Sequence, residues 1–350
     1  MKNKIYKLAF DNYTPLTRTP WAGEGVFRKL KKNLEEKNGR SKAKKIGECW
    51  EVSCDTHFPS MVAGRCPYIS LHSLISSDPH FFLGKAHGVG TSEILLKTLH
   101  AAVPLSLQVH PSDSYPELAG GEYGKPESWY VLDAEKGAGL YLGLKIGVSE
   151  QVFRDCLTSG GSLEKLLHFV PVKKGDYFEI APGMLHAVGP GVLLAEPQIM
   201  RLGKSGKTYR VWDWNRKYSP DGTIDKMGSP RELHIDHAMA CIDFNISTKT
   251  ENITDLKLKP QLNKVTENTT EKKFPANKHY QVKVIESKGP SSLKLSVPGR
   301  YGCGLVVRGK CKLEFQMFEL GEPFFFSAGG GDIELFSSEG CEIFLVQSAI

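Results

Sequence analysis

The first residues with chemical promise lie in Leu105–Asp113, which reads LSLQVHPSD. Apolar and polar positions alternate there. Leu105, Leu107 and Val109 fall on one side and Ser106, Gln108 and His110 on the other, the period-2 pattern of a half-buried strand. Gln108 and His110 therefore share a face, roughly 7 Å apart by the usual strand rise. Pro111 has no N–H for a ladder and helps to end the strand. An amide oxygen and an imidazole nitrogen on one sheet face are candidate metal ligands. Further along, Lys125-Pro126-Glu127 leads into a strand expected over Trp129–Leu132. Later still, GDYFEIAPGMLHA (175–187) turns sharply at Pro182-Gly183 and starts a new strand at His186. Two imidazoles, a carboxylate and an amide oxygen suit a divalent ion. Zinc fits this set, and so do Mn²⁺, Fe²⁺ and Co²⁺. A position left open to water or substrate would make such a site catalytic.

The elements that must carry these groups are mostly strands. Strand patterns are expected at Ile5–Phe10, Ile46–Ser53, Glu93–Leu99, Leu105–His110, Gly139–Leu144, Tyr177–Ile180 and Ala187–Glu196. Short helices are expected within Tyr68–Leu83, broken at Asp78-Pro79, and over Arg231–Ala240. Ser149–Leu157 and Ser162–Phe169 read as a small helical insertion, with apolar residues at helical spacing. The stretch Arg28–Lys45 holds nine Lys/Arg against two Glu. It reads as a solvated loop, or alternatively as a flap over an anionic ligand. Residues 245–276, rich in Asn, Thr, Lys and Glu, read as a connecting segment. Seven strand patterns then follow to the C-terminus with almost no helix, the signature of an all-β barrel or sandwich. This part contains only His279 among histidines and reads as metal-free. His234 and His237, three apart, lack partner ligands, and Trp212 and Trp214 read as core or pocket wall.

Composition narrows the class. The 350 residues carry a net charge of +6, 40% hydrophobic and 24% charged residues, as in ordinary soluble proteins. Eight cysteines without a CxxC pair read as reduced thiols, which places the protein in the cytoplasm. No stretch approaches the about 18 apolar residues that cross a bilayer, and the N-terminus lacks the apolar run of a signal peptide. Nothing points to nucleic acid. The Asn-x-Ser/Thr triplets at Asn245, Asn252 and Asn268 are then read as chance.

Gly175, Gly183 and His186 match the second motif of the cupin barrel, which this arrangement resembles; Gln108 replaces the histidine that commonly opens the first motif. LSLQVHPSD, GKPESWYVLD, FEIAPGMLHAVGPGVLLAEPQ and TYRVWDWNR, with GECWEVS (47–53) and SPRELH (229–234), resemble the type I phosphomannose isomerases from Trp21 to about Asp243. The resemblance implies a mainly β fold of two cupin-type (jelly-roll) β-barrels. Residues 1–244 would form the catalytic domain, with its helical insertion near 149–169; residues 245–276 would connect it to a metal-free barrel, 277–350. It implies metal-dependent interconversion of mannose 6-phosphate and fructose 6-phosphate through an enediolate, in a monomer or homodimer.

Carried over residue by residue, one zinc per chain falls to Gln108, His110, Glu127 and His186, and the catalytic arginine to Arg210. Lys97 matches an active-site lysine, and Ser106 and Lys125 match positions lining the sugar-phosphate pocket. On this reading Lys97, Ser106 and Lys125 hold the phosphate, and Lys125 joins Arg210 in the catalytic set. One departure stands out: SCDTHFPS puts Asp55 where relatives often have a histidine. Three outcomes stay open there: His57 serves, Asp55 substitutes, or the step is impaired. His57 is the preferred choice. Two other readings keep the barrel but change the role, namely action on another sugar phosphate, or sugar-phosphate binding without turnover.

Overall fold

The computed structural model describes residues 3–40, 42, 44–64, 67–89, 91–245, 256–297 and 299–349. Its strands are, in order, β1 (Ile5–Lys7), β2 (Glu48–Val52), β3 (Ile94–His100), β4 (Leu107–Val109), β5 (Glu122–Tyr123), β6 (Glu127–Ala134), β7 (Gly139–Leu144) and β8 (Leu167–Pro171). There follow β9 (Tyr177–Ile180), β10 (His186–Val188), β11 (Val192–Ile199), β12 (Ser205–Gly206), β13 (Tyr209–Trp212), β14 (Gln261–Lys264), β15 (Thr269–Lys273) and β16 (Tyr280–Ser287). The last are β17 (Ser291–Leu295), β18 (Gly302–Leu313), β19 (Gln316–Glu319), β20 (Pro323–Phe326), β21 (Ile333–Ser337) and β22 (Cys341–Ser348).

The mainly β expectation holds, but the strands form open sheets and not closed barrels. One five-stranded sheet runs β13-β4-β10-β7-β8 and another runs β2-β3-β11-β6-β9. They are held together by side chains: Leu140, Leu142 and Val188 of the first pack with Leu99, Trp129, Val131, Phe178 and Leu194 of the second. The first sheet covers its other face with two helices, Glu150–Thr158 and Ile235–Cys241, through Phe153, Ala238 and Met239.

The second sheet is buried on both faces, which explains the nearly continuous apolar runs of β3 and β11. Its far side, with Tyr130, Leu132, Tyr177 and Ala195, packs on Tyr280, Val282, Phe325, Phe344 and Val346 of a ten-stranded C-terminal sheet. A polar bolt crosses this boundary. The fully buried Tyr280 hydroxyl donates to the Pro197 carbonyl (2.8 Å) and lies 3.0 Å from Ser128 Oγ, thereby tying β11 to β6. The C-terminal sheet also takes in β1, which pairs with β20 in the register Ile5↔Phe326. The hairpin β14–β15 joins the same sheet through β16, so part of the stretch read as connecting is strand.

Some local expectations need correction. The first part of the basic stretch is no loop: Phe27–Lys37 is helical, a π turn followed by an α-helix. Phe27, Leu30 and Leu34 recur at three- and four-residue intervals and anchor it to the core. Two of its charged residues are buried. Lys31 Nζ pairs with Glu51 Oε2 (2.6 Å) and donates to the Gly321 carbonyl (2.6 Å), and Glu51 Oε1 accepts from Thr98 Oγ1 (2.7 Å). Glu35 accepts from Tyr13 Oη (2.8 Å) and pairs with Arg40 and Lys44.

The helix expected from Arg231 starts only at Ile235, because Arg231–His234 runs non-helically beside Arg210. The second helical pattern of the insertion is a short 3₁₀ turn, Leu163–Leu166, that passes into β8. The helix break at Asp78-Pro79 is as expected, with Asp78 capping Phe81 N–H (3.1 Å) and Pro79 at the first turn. The long strand pattern Ala187–Glu196 is two strands, β10 and β11, separated by Gly189-Pro190-Gly191.

Candidate active site and metal centre

Three buried groups converge where the two five-stranded sheets meet. His110, just past β4, and His186, opening β10, come from the first sheet, and Glu127, opening β6, comes from the second. Gly183 helps set this geometry. Its φ of +87° makes the turn, its N–H donates to the His110 carbonyl (2.9 Å), and a Cβ there would press on Cys241 and Asp243. Ligand-capable atoms of the three residues lie within 4.8 Å of one another.

Both imidazoles are oriented from behind. His110 Nδ1 lies 3.0 Å from the Lys207 carbonyl and His186 Nδ1 lies 2.8 Å from the Met184 carbonyl. A carbonyl only accepts, so each Nδ1 carries the proton and each Nε2 is left with a lone pair. Those Nε2 atoms face Glu127 at 3.3 and 3.6 Å, and neither completes a well-aligned hydrogen bond. The edge of Trp129 packs on His186, with ring centroids 5.4 Å apart.

The protonation states suit a cation. Burial lowers the His186 pKa to about 3, helped by His110, and also lowers that of His110, helped by Lys125. Burial alone would raise the Glu127 carboxyl, but Lys125 (Nζ to Oε2 3.1 Å) and His110 outweigh it and hold it well below the usual range. Two neutral imidazoles and a carboxylate, inward-facing and buried, therefore fit a zinc-like ion. Gln108 lies in register between His186 on one neighbouring strand and Arg210 on the other.

A pH effect follows for the metal-free protein. The His186 pKa falls from an ordinary 6.5 unfolded to about 3 folded, so between these values the unfolded chain binds more protons and stability declines as pH falls. From pH 6.5 to 5 the loss amounts to about 1.5 kcal/mol from this group alone, and His110 adds to it in the same direction. Urea midpoints of the metal-free protein should fall accordingly, and an unchanged midpoint at pH 5 would contradict this.

A cleft of about 870 Å³ reaches Lys125 and Gln108, which adjoin the three groups. It gathers every remaining sequence candidate: Arg210, Lys125, His57, Lys97, Ser106 and Gln108 all line it. On the second sheet Trp50, Lys97 and Glu196 form one row across β2, β3 and β11, and Gln198 pairs in register with Glu127. Lys97 Nζ lies 3.3 Å from Glu196 and 3.7 Å from Glu48. Burial would lower its pKa, but Glu48, Glu196 and Glu127 outweigh it and keep the ammonium charged. Asp55 accepts the N–H groups of His57 and Phe58 (2.8 Å each) and so shapes the loop, leaving the exposed His57 ring at the lip.

Glu196 is the group missed in the sequence. It is buried on β11, receives Trp129 Nε1–H (3.2 Å), and has its pKa raised to about 7 by burial and by Glu127. A lone acid inside the apolar run VLLAEPQI was the available signal, since a sheet buries a carboxylate only with partners.

Sequence comparison finds Mannose-6-phosphate isomerase ManA of Bacillus subtilis (strain 168), 34% identical over 203 residues, 57% of this chain and 60% of that protein. Mannose-6-phosphate isomerase of Streptococcus mutans serotype c is 34% identical over 194 residues, 55% of this chain and 57% of that protein. The chain is related to the mannose-6-phosphate isomerases. The aligned chain spans about three fifths of these relatives' length. No protein-family model matches it.

Among solved structures, the mannose 6-phosphate isomerase from Bacillus subtilis superposes with a TM-score of 0.74 at 24% identity, covering 99% of both chains. A zinc-bound mannose 6-phosphate isomerase matches at TM-score 0.69 and 15% identity, over 99% of this chain and 100% of the other. These two likenesses establish the shared fold.

Proposed function

We propose that this chain is a metal-dependent aldose–ketose isomerase that interconverts mannose 6-phosphate and fructose 6-phosphate. The observation that carries this reading is the clustered set His110, His186 and Glu127, joined through Lys125 to a cleft lined by Arg210, Lys97 and Glu196. The sequence relatives named for this reaction support it. On this reading one zinc ion per chain is held by Gln108, His110, Glu127 and His186. Zinc supplies a fixed positive charge that favours the electron-rich enediolate over the neutral sugar.

The chain's own residues do the rest. Moving a proton between C1 and C2 needs a group that both accepts and returns it. Glu196, with a pKa of about 7, is divided between its two forms near neutral pH. Trp129 and Lys97 hold its carboxyl in place. Arg210 stays charged, and its guanidinium is fixed by the Glu232 carbonyl (Nη1 to O 2.6 Å), so it stabilises developing negative charge. Lys125 keeps Glu127 ionised and lies close enough to the cleft to share in proton movement. His57, at the lip, suits sugar-ring opening. Ser106 and Lys97 line the part of the cleft that would receive the sugar.

The same reading takes residues 1–244 as the catalytic unit and 277–350 as a metal-free supporting unit. Among the described residues no helix is long and apolar enough to cross a membrane, and the seven described cysteines are unpaired. A cytoplasmic monomer or homodimer without nucleic-acid or membrane partners is consistent with both. The test is a coupled assay of mannose 6-phosphate conversion on as-purified, chelated and zinc-restored protein, with Glu196→Gln alongside. The reading predicts activity lost on chelation, regained with zinc, and reduced at least about 10²-fold in the variant. Folded, zinc-loaded protein without turnover would overturn it.

A further inference from the structure

We propose that Tyr280, which belongs to the C-terminal sheet, is a positioning residue for the cleft. Its hydroxyl closes a gap in the ladder between β11 and β6, and so holds Glu196 at a fixed offset from Glu127. The coupling between the two sheets stands on the geometry alone; its consequence for turnover rests on the proposed isomerase function.

The gap comes from a proline in a central strand. β11 lies between β3 and β6, and its pairing with β3 runs unbroken through Glu196↔Lys97 and Pro197↔Leu96. On the other side, the pairing with β6 stops at Ala195↔Tyr130 and resumes at Gln198↔Glu127. Glu196 and Pro197 are thus left without ladder partners opposite Trp129 and Ser128. Proline has no N–H to give, which is why it is rare in the middle of a sheet. The proposed metal ligand Glu127 lies at the margin of this break and the proposed acid–base group Glu196 lies within it. These are the two groups that most need a defined separation.

Side chains bridge the break from both faces. On the cleft side Trp129 Nε1–H donates to Glu196 (3.2 Å). On the far side the Tyr280 hydroxyl reaches the Pro197 carbonyl (2.8 Å) and Ser128 Oγ (3.0 Å). Tyr280 thus grips the residue after Glu196 and the residue after Glu127. A carbonyl only accepts, so Tyr280 donates to Pro197, and Ser128 donates its own proton to the phenol oxygen. Burial pushes the Tyr280 pKa up, so that proton stays in place. The residue is itself anchored. Its backbone N–H donates to Asn277 Oδ1 (2.9 Å), and its strand pairs with β22 in the register Tyr280↔Ser348. Most of the boundary is apolar, with Leu132 and Ala195 against Val282, Phe344 and Val346. The Tyr130 hydroxyl also reaches across, to Glu342, but at 3.5 Å that contact is long. Apolar contact is non-directional and lets two sheets slide. Two hydrogen bonds to one phenol oxygen set their offset.

Tyr280→Phe removes the hydroxyl and keeps the ring. In zinc-loaded protein it should lower kcat for mannose 6-phosphate by about tenfold or more with little change in KM, because misplaced reacting groups cost rate more than binding. The indole N–H signal of Trp129, assigned by NMR with Trp129→Phe, reads the same coupling without turnover. It should shift, and exchange faster with solvent, in Tyr280→Phe. Val282→Ala is the structural control. It thins the same boundary two residues along β16, and should lower the urea midpoint while leaving kcat and the Trp129 signal unchanged. Ser128→Ala removes only one of the two bonds and should give an intermediate loss, which keeps the test decisive if Tyr280→Phe folds poorly. Unchanged kcat and Trp129 signal in both hydroxyl variants would overturn the proposal, and so would equal changes in Val282→Ala. A Trp129 signal that depends on Tyr280 in a protein without isomerase turnover would sustain the coupling and remove only its catalytic consequence.

Discussion

Glu127→Gln should give a folded protein that neither retains zinc nor turns over substrate. Glutamine is nearly isosteric, so the fold is expected to stand. What disappears is the charge. The two imidazoles of the site are held neutral by burial, so Glu127 is the only anion among the proposed ligands. Lys125 Nζ, now 3.1 Å from Oε2, would be left facing an incoming cation without a counter-ion. The expected result is zinc lost on mild chelation and kcat/KM down at least about 10³-fold, the several kcal/mol that a metal contributes to such a reaction. Zinc analysis, circular dichroism and the coupled assay on one preparation check this. A zinc-replete, active Glu127→Gln protein would remove the site assignment.

The second large effect lies away from the cleft. Lys31→Met should destabilise the protein by about 3–5 kcal/mol, because it leaves Glu51 as a buried, unpaired charge. Thr98 would still donate to Glu51 Oε1, but the carbonyl of Gly321 would lose its ammonium donor. Combining Lys31→Met with Glu51→Leu should recover most of the loss, since apolar replacement of a buried pair is often neutral. Urea unfolding of the single and double variants measures both. A single-variant loss below about 1 kcal/mol would mean that solvent reaches the pair.

The metal-site candidates were legible because each has a local signature. Gln108 and His110 follow strand alternation, and His186 follows a glycine-proline turn that the chain needs for steric reasons. That Trp50, Lys97 and Glu196 form one row was not legible, because the row exists only through the register of three strands far apart in sequence. The helix at Phe27–Lys37 was hidden for a different reason. Its lysines outnumber its apolar residues, yet Phe27, Leu30 and Leu34 suffice to seat it, and its two buried charges find partners. Arg231 was read as a helix start, but its side chain is engaged by Asp213, which keeps the segment outside the helix. The barrels expected from the family resemblance are open sheets here because the contact between them is made by side chains.

The pairing of β1 with β20 has a consequence for the order in which the molecule is made. Ile5 and Tyr6 are made about 320 residues ahead of their partners Phe326 and Phe325. At ordinary elongation rates the first strand waits on the order of tens of seconds for the edge it completes. Until then Ile5 has no core to enter, since the rest of its cluster lies in the C-terminal part of the chain. The nascent chain thus carries an unpaired apolar strand until β20 has been made.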